Sequence, residues 1–168
     1  VTPEHARTFA GYNRWANERL YAAVAVLPDA DYRHDLQAFF GSLHGTLNHI
    51  LVGDLIWLGR LEVATEDVAP PPPGLDAIPF EDFAGLRAAR QEVDGRIAAF
   101  CAELAVERLA APVAYVRRGV AYAEPLWQIL AHLFNHQTHH RGQAHALLTR
   151  LGHPAPELDL IYHLRATQ

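Results

Sequence analysis

The sequence predicts an all-α fold, an antiparallel four-helix bundle with a long crossover, a small hairpin-like insertion before the last long helix and a short C-terminal helix. Three observations carry this. Four long stretches repeat apolar residues at steps of three and four, the period of a helix that buries one face. Segments that break this period separate them, the longest around Pro70–Pro73. Half of the 168 residues are hydrophobic, enough for one domain over residues 1–168 with a core of its own.

Thr2-Pro3-Glu4 reads as a helix start: a capping hydroxyl, Pro at the first helical position and an acid in the first turn. Phe9, Tyr12, Ala16, Leu20, Ala23 and Leu27 carry the helix to about Leu27, where Pro28-Asp29 stops it. Trp15 reads as a core or interface residue, and Asn13 and Asn17 as solvent-facing. A polar connection follows from Asp29 to Asp35.

The second helix spans Phe40 to Leu61. His49 shares one side with Ser42, Gly45, Thr46, Val52, Gly53, Ile56 and Trp57. Gly45 and Gly53 flank it by one turn each way, so a second helix can approach closely there. Phe40, Leu47, Leu51, Leu55 and Leu58 form an apolar stripe on the opposite side. A helix apolar on both sides is buried on both sides. The second side is a candidate subunit interface, and the stripe leads us to expect a homodimer.

Ala69–Pro79 reads as a loop whose four successive prolines favour a short extended segment. That segment is either a ligand for a proline-recognition module or a rigid crossover between helices. The third helix begins near Pro79 or Phe80, with Glu81 and Asp82 in its first turn. Phe83, Leu86, Arg90, Val93, Ile97, Phe100 and Leu104 form its seam, and Arg87 and Arg90 snorkel or pair with acids. Pro112–Ala123 breaks the helical period around Arg117-Arg118-Gly119 and reads as a small hairpin. Glu124-Pro125 opens the last long helix, Gly152 caps it, and Leu158–Leu164 forms a short terminal helix.

Charge and composition exclude several classes. The formal net charge is −5, and all fourteen basic residues are Arg, scattered rather than striped, so nothing marks a nucleic-acid partner. No apolar run approaches the roughly 20 residues that span a bilayer. The first residues do not resemble a signal peptide, and the lone Cys101 suits a reducing compartment, so we expect a cytoplasmic protein. Cys101 reads as packing rather than as a nucleophile. His-Glu-x-x-His, Glu-x-x-His, Cys-x-x-Cys, P-loop and dinucleotide fingerprints do not occur.

The last long helix holds the chemistry. Five of the eleven histidines lie between Trp127 and Leu151: His132, His136, His139, His140 and His145. On a wheel of about 100° per residue, His136 and His140 sit about 40° apart on the apolar face, with Gln143 and Leu147 each within about 20° of His136. His145 lies opposite and His139 at the edge. One buried His is usually a hydrogen-bonded core residue. Two at i, i+4 can converge on one metal ion. In a four-helix bundle His49 can meet them at the same level of the core. Three neutral imidazoles leave a coordination position open, where a water or a thiol could be activated.

Thr46–Leu61 (TLNHILVGDLIWLGRL) and Leu130–Gly152 (LAHLFNHQTHHRGQAHALLTRLG) resemble the two signatures of the DinB/YfiT-like family, and Tyr12–Asn17 resembles its first-helix motif. The resemblance implies a commonly dimeric four-helix bundle. It also implies one divalent metal, often nickel or zinc, on the histidines that stand here as His49, His136 and His140. His139 has no ligand role in that pattern. Family members with known activities include metal-dependent thiol S-transferases and mycothiol-dependent isomerases. The expectation is therefore a metal-dependent enzyme acting with a low-molecular-weight thiol and a small electrophile. The alternatives are a non-catalytic metal-binding stress-response or interaction protein, and a structural bundle with satisfied histidines. No catalytic acid or base is assigned. Asp54 and Glu124 are the nearest acids by sequence, but Asp54 falls about 140° from His49 on the wheel.

Overall fold

The computed structural model describes residues 1–62 and 74–167. The tetraproline segment of the crossover lies outside the described residues. Four long helices build the bundle: α1 (Pro3–Val24), α3 (Leu43–Leu61), α4 (Phe83–Ala102) and α6 (Leu126–Arg150). α1 packs on α4 and α6, and α3 packs on the same two. The short helices α2 (Asp29–Arg33) and α5 (Val106–Leu109) lie in the connections, and α7 (Leu160–Ala166) follows the last long helix. Among the described residues, no helix is long and apolar enough to cross a membrane.

Side-chain caps set the helix starts. The Thr2 hydroxyl accepts from the His5 amide at 3.1 Å, as the Thr-Pro-Glu start predicts. Ser42 accepts from the Gly45 amide at 3.1 Å, so α3 begins at Leu43 rather than at Phe40. Asp82 accepts from the Gly85 amide at 2.7 Å and is itself the cap, which moves the start of α4 from Phe80 to Phe83. α1 ends at Val24, three residues short of Leu27, and the polar connection after it contains α2. The terminal helix begins two residues later than its expected Leu158 start.

The expected hairpin is present. β1 (Pro112–Arg117) pairs antiparallel with β2 (Val120–Pro125), and Arg117 faces Val120 across a two-residue loop. Arg118 and Gly119 both have positive φ, 51° and 78°, the signature of a type I′ turn.

The apolar core gathers Leu20, Leu43, Leu47, Ile50, Leu51, Leu58, Leu86, Leu130 and Leu133. Leu47, Leu51 and Leu58 belong to the stripe assigned above to a subunit interface. The chain's own packing buries these three and covers part of Leu55, so most of that stripe is already taken up within the chain. Phe40 does not belong to it at all. It precedes the Ser42 cap and folds back over the start of α3, where a Cβ on Gly45 would come within 2.1 Å of its carbonyl oxygen. Close approach does occur at Gly45, but by this connecting segment rather than by a second helix.

A ring of polar side chains crosses the bundle through all four long helices. Arg90 on α4 pairs with Asp54 on α3 at 2.7 Å and with Asp94 at 3.0 Å. Asn13 and Asn17 on α1 donate to Asp94 at 3.1 and 3.0 Å. Arg141 on α6 donates to both asparagine carbonyls and to Gln137, and Gln137 donates to Asp54, which closes the ring. Asn13 and Asn17 are therefore buried, not solvent-facing. Two guanidinium and two carboxylate groups balance, as buried charges must. Burial pushes the Asp54 carboxyl up to about 6 against the pull of Arg90, so it is still ionised at neutral pH. At Arg90 burial works against the charge, but Asp94 and Asp54 outweigh it.

Candidate metal centre

The contact between α3 and α6 sets the site. His49 stands in the middle of α3, and His136 and His140 stand one turn apart on α6. A Cβ on Gly53 would lie 2.6 Å from His136 Cε1, so the His136 ring occupies room that only glycine leaves. The three rings converge as their spacing predicts. His49 Nε2 lies 3.1 Å from His136 Nε2 and 3.2 Å from His140 Nε2. One ligand atom from each residue lies within 4.8 Å of the other two.

The outer ring nitrogens decide what the inner ones can do. His49 Nδ1 lies 2.7 Å from the Leu75 carbonyl oxygen. A carbonyl only accepts, so Nδ1 carries the proton and Nε2 is a bare lone pair. His140 Nδ1 lies 2.8 Å from Gln143 Oε1. The Gln143 amide nitrogen reaches His139 Nε2 at 3.2 Å, which fixes the orientation of the amide. His140 Nε2 is therefore bare as well. Two lone pairs face each other at 3.2 Å with no proton of their own between them. A shared cation turns that repulsion into attraction.

The donors fit a divalent ion. Ligands about 2.0–2.1 Å from a tetrahedral zinc stand about 3.3 Å apart, against 3.1 and 3.2 Å here. Three neutral imidazoles suit zinc, nickel or copper. Neutrality at physiological pH follows from the surroundings. Burial, then the neighbouring His140 and His49, push His136 down to about 3. Burial also lowers His49, against the bond to Leu75, and His140, against the bond to Gln143.

Several supporting groups lay outside the sequence reading. The Phe40 ring stacks on His49 with centroids 3.8 Å apart and an interplanar angle of 18°. The Leu75 carbonyl comes from the end of the crossover. Asn48 holds that end by donating to the Phe80 carbonyl at 3.1 Å and accepting from the Phe80 amide at 3.2 Å. Gln143 stood on the correct helical arc, and its hydrogen-bonding role becomes visible only with the rings in place. His139 and His132 are exposed, and His145 faces a separate cavity of about 380 Å³ beside Tyr12 and Glu157. Neither nearby acid joins the trio. Asp54 belongs to the buried ring, and Glu124 bonds Tyr115. Burial pushes the Cys101 thiol up to about 11, so it is packing, as expected.

A cavity of about 470 Å³ opens beside the trio, with His136 in its wall. His132, one turn before His136 on α6, lines the cavity too, and the remaining residues come from α3, the end of the crossover and the hairpin.

Comparison with known proteins agrees with this picture. Protein DinB of Bacillus subtilis (strain 168) is 23% identical over 171 residues, a match covering 94% of this chain and 92% of that protein. The crystal structure of a DinB-like protein from Bacillus cereus ATCC 10987 superposes with a TM-score of 0.58 at 21% identity, over 84% of this chain and 89% of that one. At that identity the likeness speaks to the fold. The model of the DinB family matches residues 3–168, which takes in both histidine-bearing helices and the hairpin between α5 and α6, and the chain belongs to that family.

Proposed function

We propose that the protein binds one divalent metal ion, nickel or zinc, through Nε2 of His49, His136 and His140, and that it is an enzyme acting on a low-molecular-weight thiol. The facing lone pairs of His49 and His140 carry the metal reading. The chemistry supplied by a bound ion is Lewis acidity, which lowers the pKa of a thiol and holds it as the nucleophile toward a small electrophile. The chain's own residues prepare for this. Leu75 and Gln143 fix the proton on the outer nitrogens of His49 and His140 and aim the inner ones. Phe40 covers one face of His49 and limits water there. The cavity at His136 admits a small substrate from solvent.

One observation favours a non-catalytic reading. Among the described residues, no carboxylate joins the trio, so no general base is in place. Reconstituted protein assayed against a panel of low-molecular-weight thiols and electrophiles decides between the two, with His140→Ala as the control. Turnover that requires both metal and His140 supports the enzyme. Turnover that survives in the metal-free variant excludes the metal mechanism, and none with any thiol leaves a metal-binding protein. A homodimer in the cytoplasm remains part of the proposal, on the family resemblance and no longer on the apolar stripe of α3. The mass in solution at micromolar concentration tests the dimer.

A further inference from the structure

The cavity beside the trio is strongly one-sided in charge. Arg60, Arg117 and Arg118 line it together with His136, and among the described residues no carboxylate does. Arg60 is held in place. Its guanidinium carbon lies 4.3 Å from the Trp57 ring centroid and 4.1 Å from that of Tyr115. Such stacking orients a guanidinium while leaving its N–H edge free to bind. Arg117 and Arg118 stand at the end of the hairpin, and the type I′ turn sets where they project. Ile56, Leu75 and Val116 supply apolar wall in the same cavity.

Three cations around one small cavity repel one another. Burial and the nearby Arg117 both depress Arg60, while Tyr115 and Glu124 offset part of this from the hairpin side. An anion entering the cavity relieves the repulsion and finds bidentate donors. The size suits a small metabolite rather than a polymer.

We propose that this cavity takes a small organic acid, its carboxylate seated on Arg60, Arg117 and Arg118 and its reactive end directed at the histidine trio. The inference rests on the trio being a metal centre for thiol chemistry, and it names the substrate class of that centre. The acid group belongs to the thiol or to its electrophilic partner; the arginines recognise either.

Two probe pairs test it. In cobalt-loaded protein, 3-mercaptopropionate is titrated against its methyl ester, read by the thiolate-to-cobalt absorption band. The ester has the more acidic thiol, so a preference for the acid cannot come from the sulfur. In zinc-loaded protein, 3-phenylpropionate is titrated against 3-phenylpropanamide by calorimetry, which needs no thiol. In both pairs the acid should bind about tenfold tighter than its neutral partner, the scale of one charge-assisted contact. That preference should vanish in the double variant Arg117→Gln, Arg118→Asn. Both positions are exposed, and Asn-Gly is the favoured type I′ pair, so the hairpin should persist. Unchanged metal stoichiometry verifies that the fold is intact. Equal affinity within both pairs, or a preference that survives in the double variant, overturns the proposal. No absorption band with either mercaptan, alongside a persistent preference for phenylpropionate over its amide, instead overturns the thiol reading and supports the acid site.

Discussion

Gly53 on α3 and His136 on α6 touch so closely that a single methyl group at position 53 would lie 2.6 Å from His136 Cε1. The absence of a side chain on one helix thus sets the position of a ring on the other. Gly53→Ala should therefore separate helix stability from metal affinity. Alanine favours the helix by about 1 kcal/mol, yet the His136 ring must move away from its partners. The expected result is retained helicity by circular dichroism and metal affinity lowered about tenfold or more in chelator competition, the cost of misplacing one ligand.

Metal content should sort the histidines of α6. His136→Ala and His140→Ala should lose the ion, and His139→Ala and His132→Ala should keep it, because only the first two turn Nε2 toward His49. Mass-spectrometric metal analysis of the four variants after dialysis reads this directly. Stoichiometric metal in His140→Ala would show that the trio is not the site.

The metal-free protein should lose stability as the solution is acidified. Unfolded histidine takes up a proton near about 6.5, whereas folded His136 does so only near about 3. Between these values the unfolded state binds more protons, so stability falls as pH falls. Asp54, raised to about 6, works in the opposite sense. The useful quantity is the difference between wild type and His136→Ala in the slope of urea midpoint against pH, with chelator present. Wild type should fall more steeply below about 6.5. Parallel slopes would contradict the assignment.

Asp94 should matter to stability far more than its single charge suggests. It accepts from Asn13 and Asn17 and pairs with Arg90, all inside the bundle. Asp94→Ala leaves the two amides without that acceptor and Arg90 half-paired, so a loss of about 3–5 kcal/mol is expected. Glu92→Ala, exposed on the same helix, should stay within about 0.5 kcal/mol. Urea titration of both variants checks the contrast.

The trio was legible in the sequence because its signal is local. Two histidines one turn apart on an apolar face state their own convergence, and a histidine near two glycines states that something approaches closely. The buried ring was not legible. Asn13 and Asn17 look solvent-facing on α1 because their acceptor is Asp94, some eighty residues away on another helix. Spacing within one helix carries no trace of that partner. Phe40 was misplaced for a different reason. Its apolar character extended the helical period backwards, and the Ser42 hydroxyl, which terminates the helix, outweighed it. The Leu75 carbonyl left no signal at all, since a backbone acceptor is the same at every residue.

That carbonyl ties the trio to the chain that follows the crossover. The bond from His49 Nδ1 to Leu75 places the segment from Gly74 to Phe80 in thermodynamic linkage with ligation at Nε2. A hydrogen bond at one ring nitrogen raises the basicity of the other. The linkage is reciprocal, so whatever strengthens ligation strengthens the attachment of the segment by the same free energy. Amide hydrogen exchange between residues 74 and 80 should therefore slow when metal is added, a readout of occupancy taken from backbone that never touches the ion.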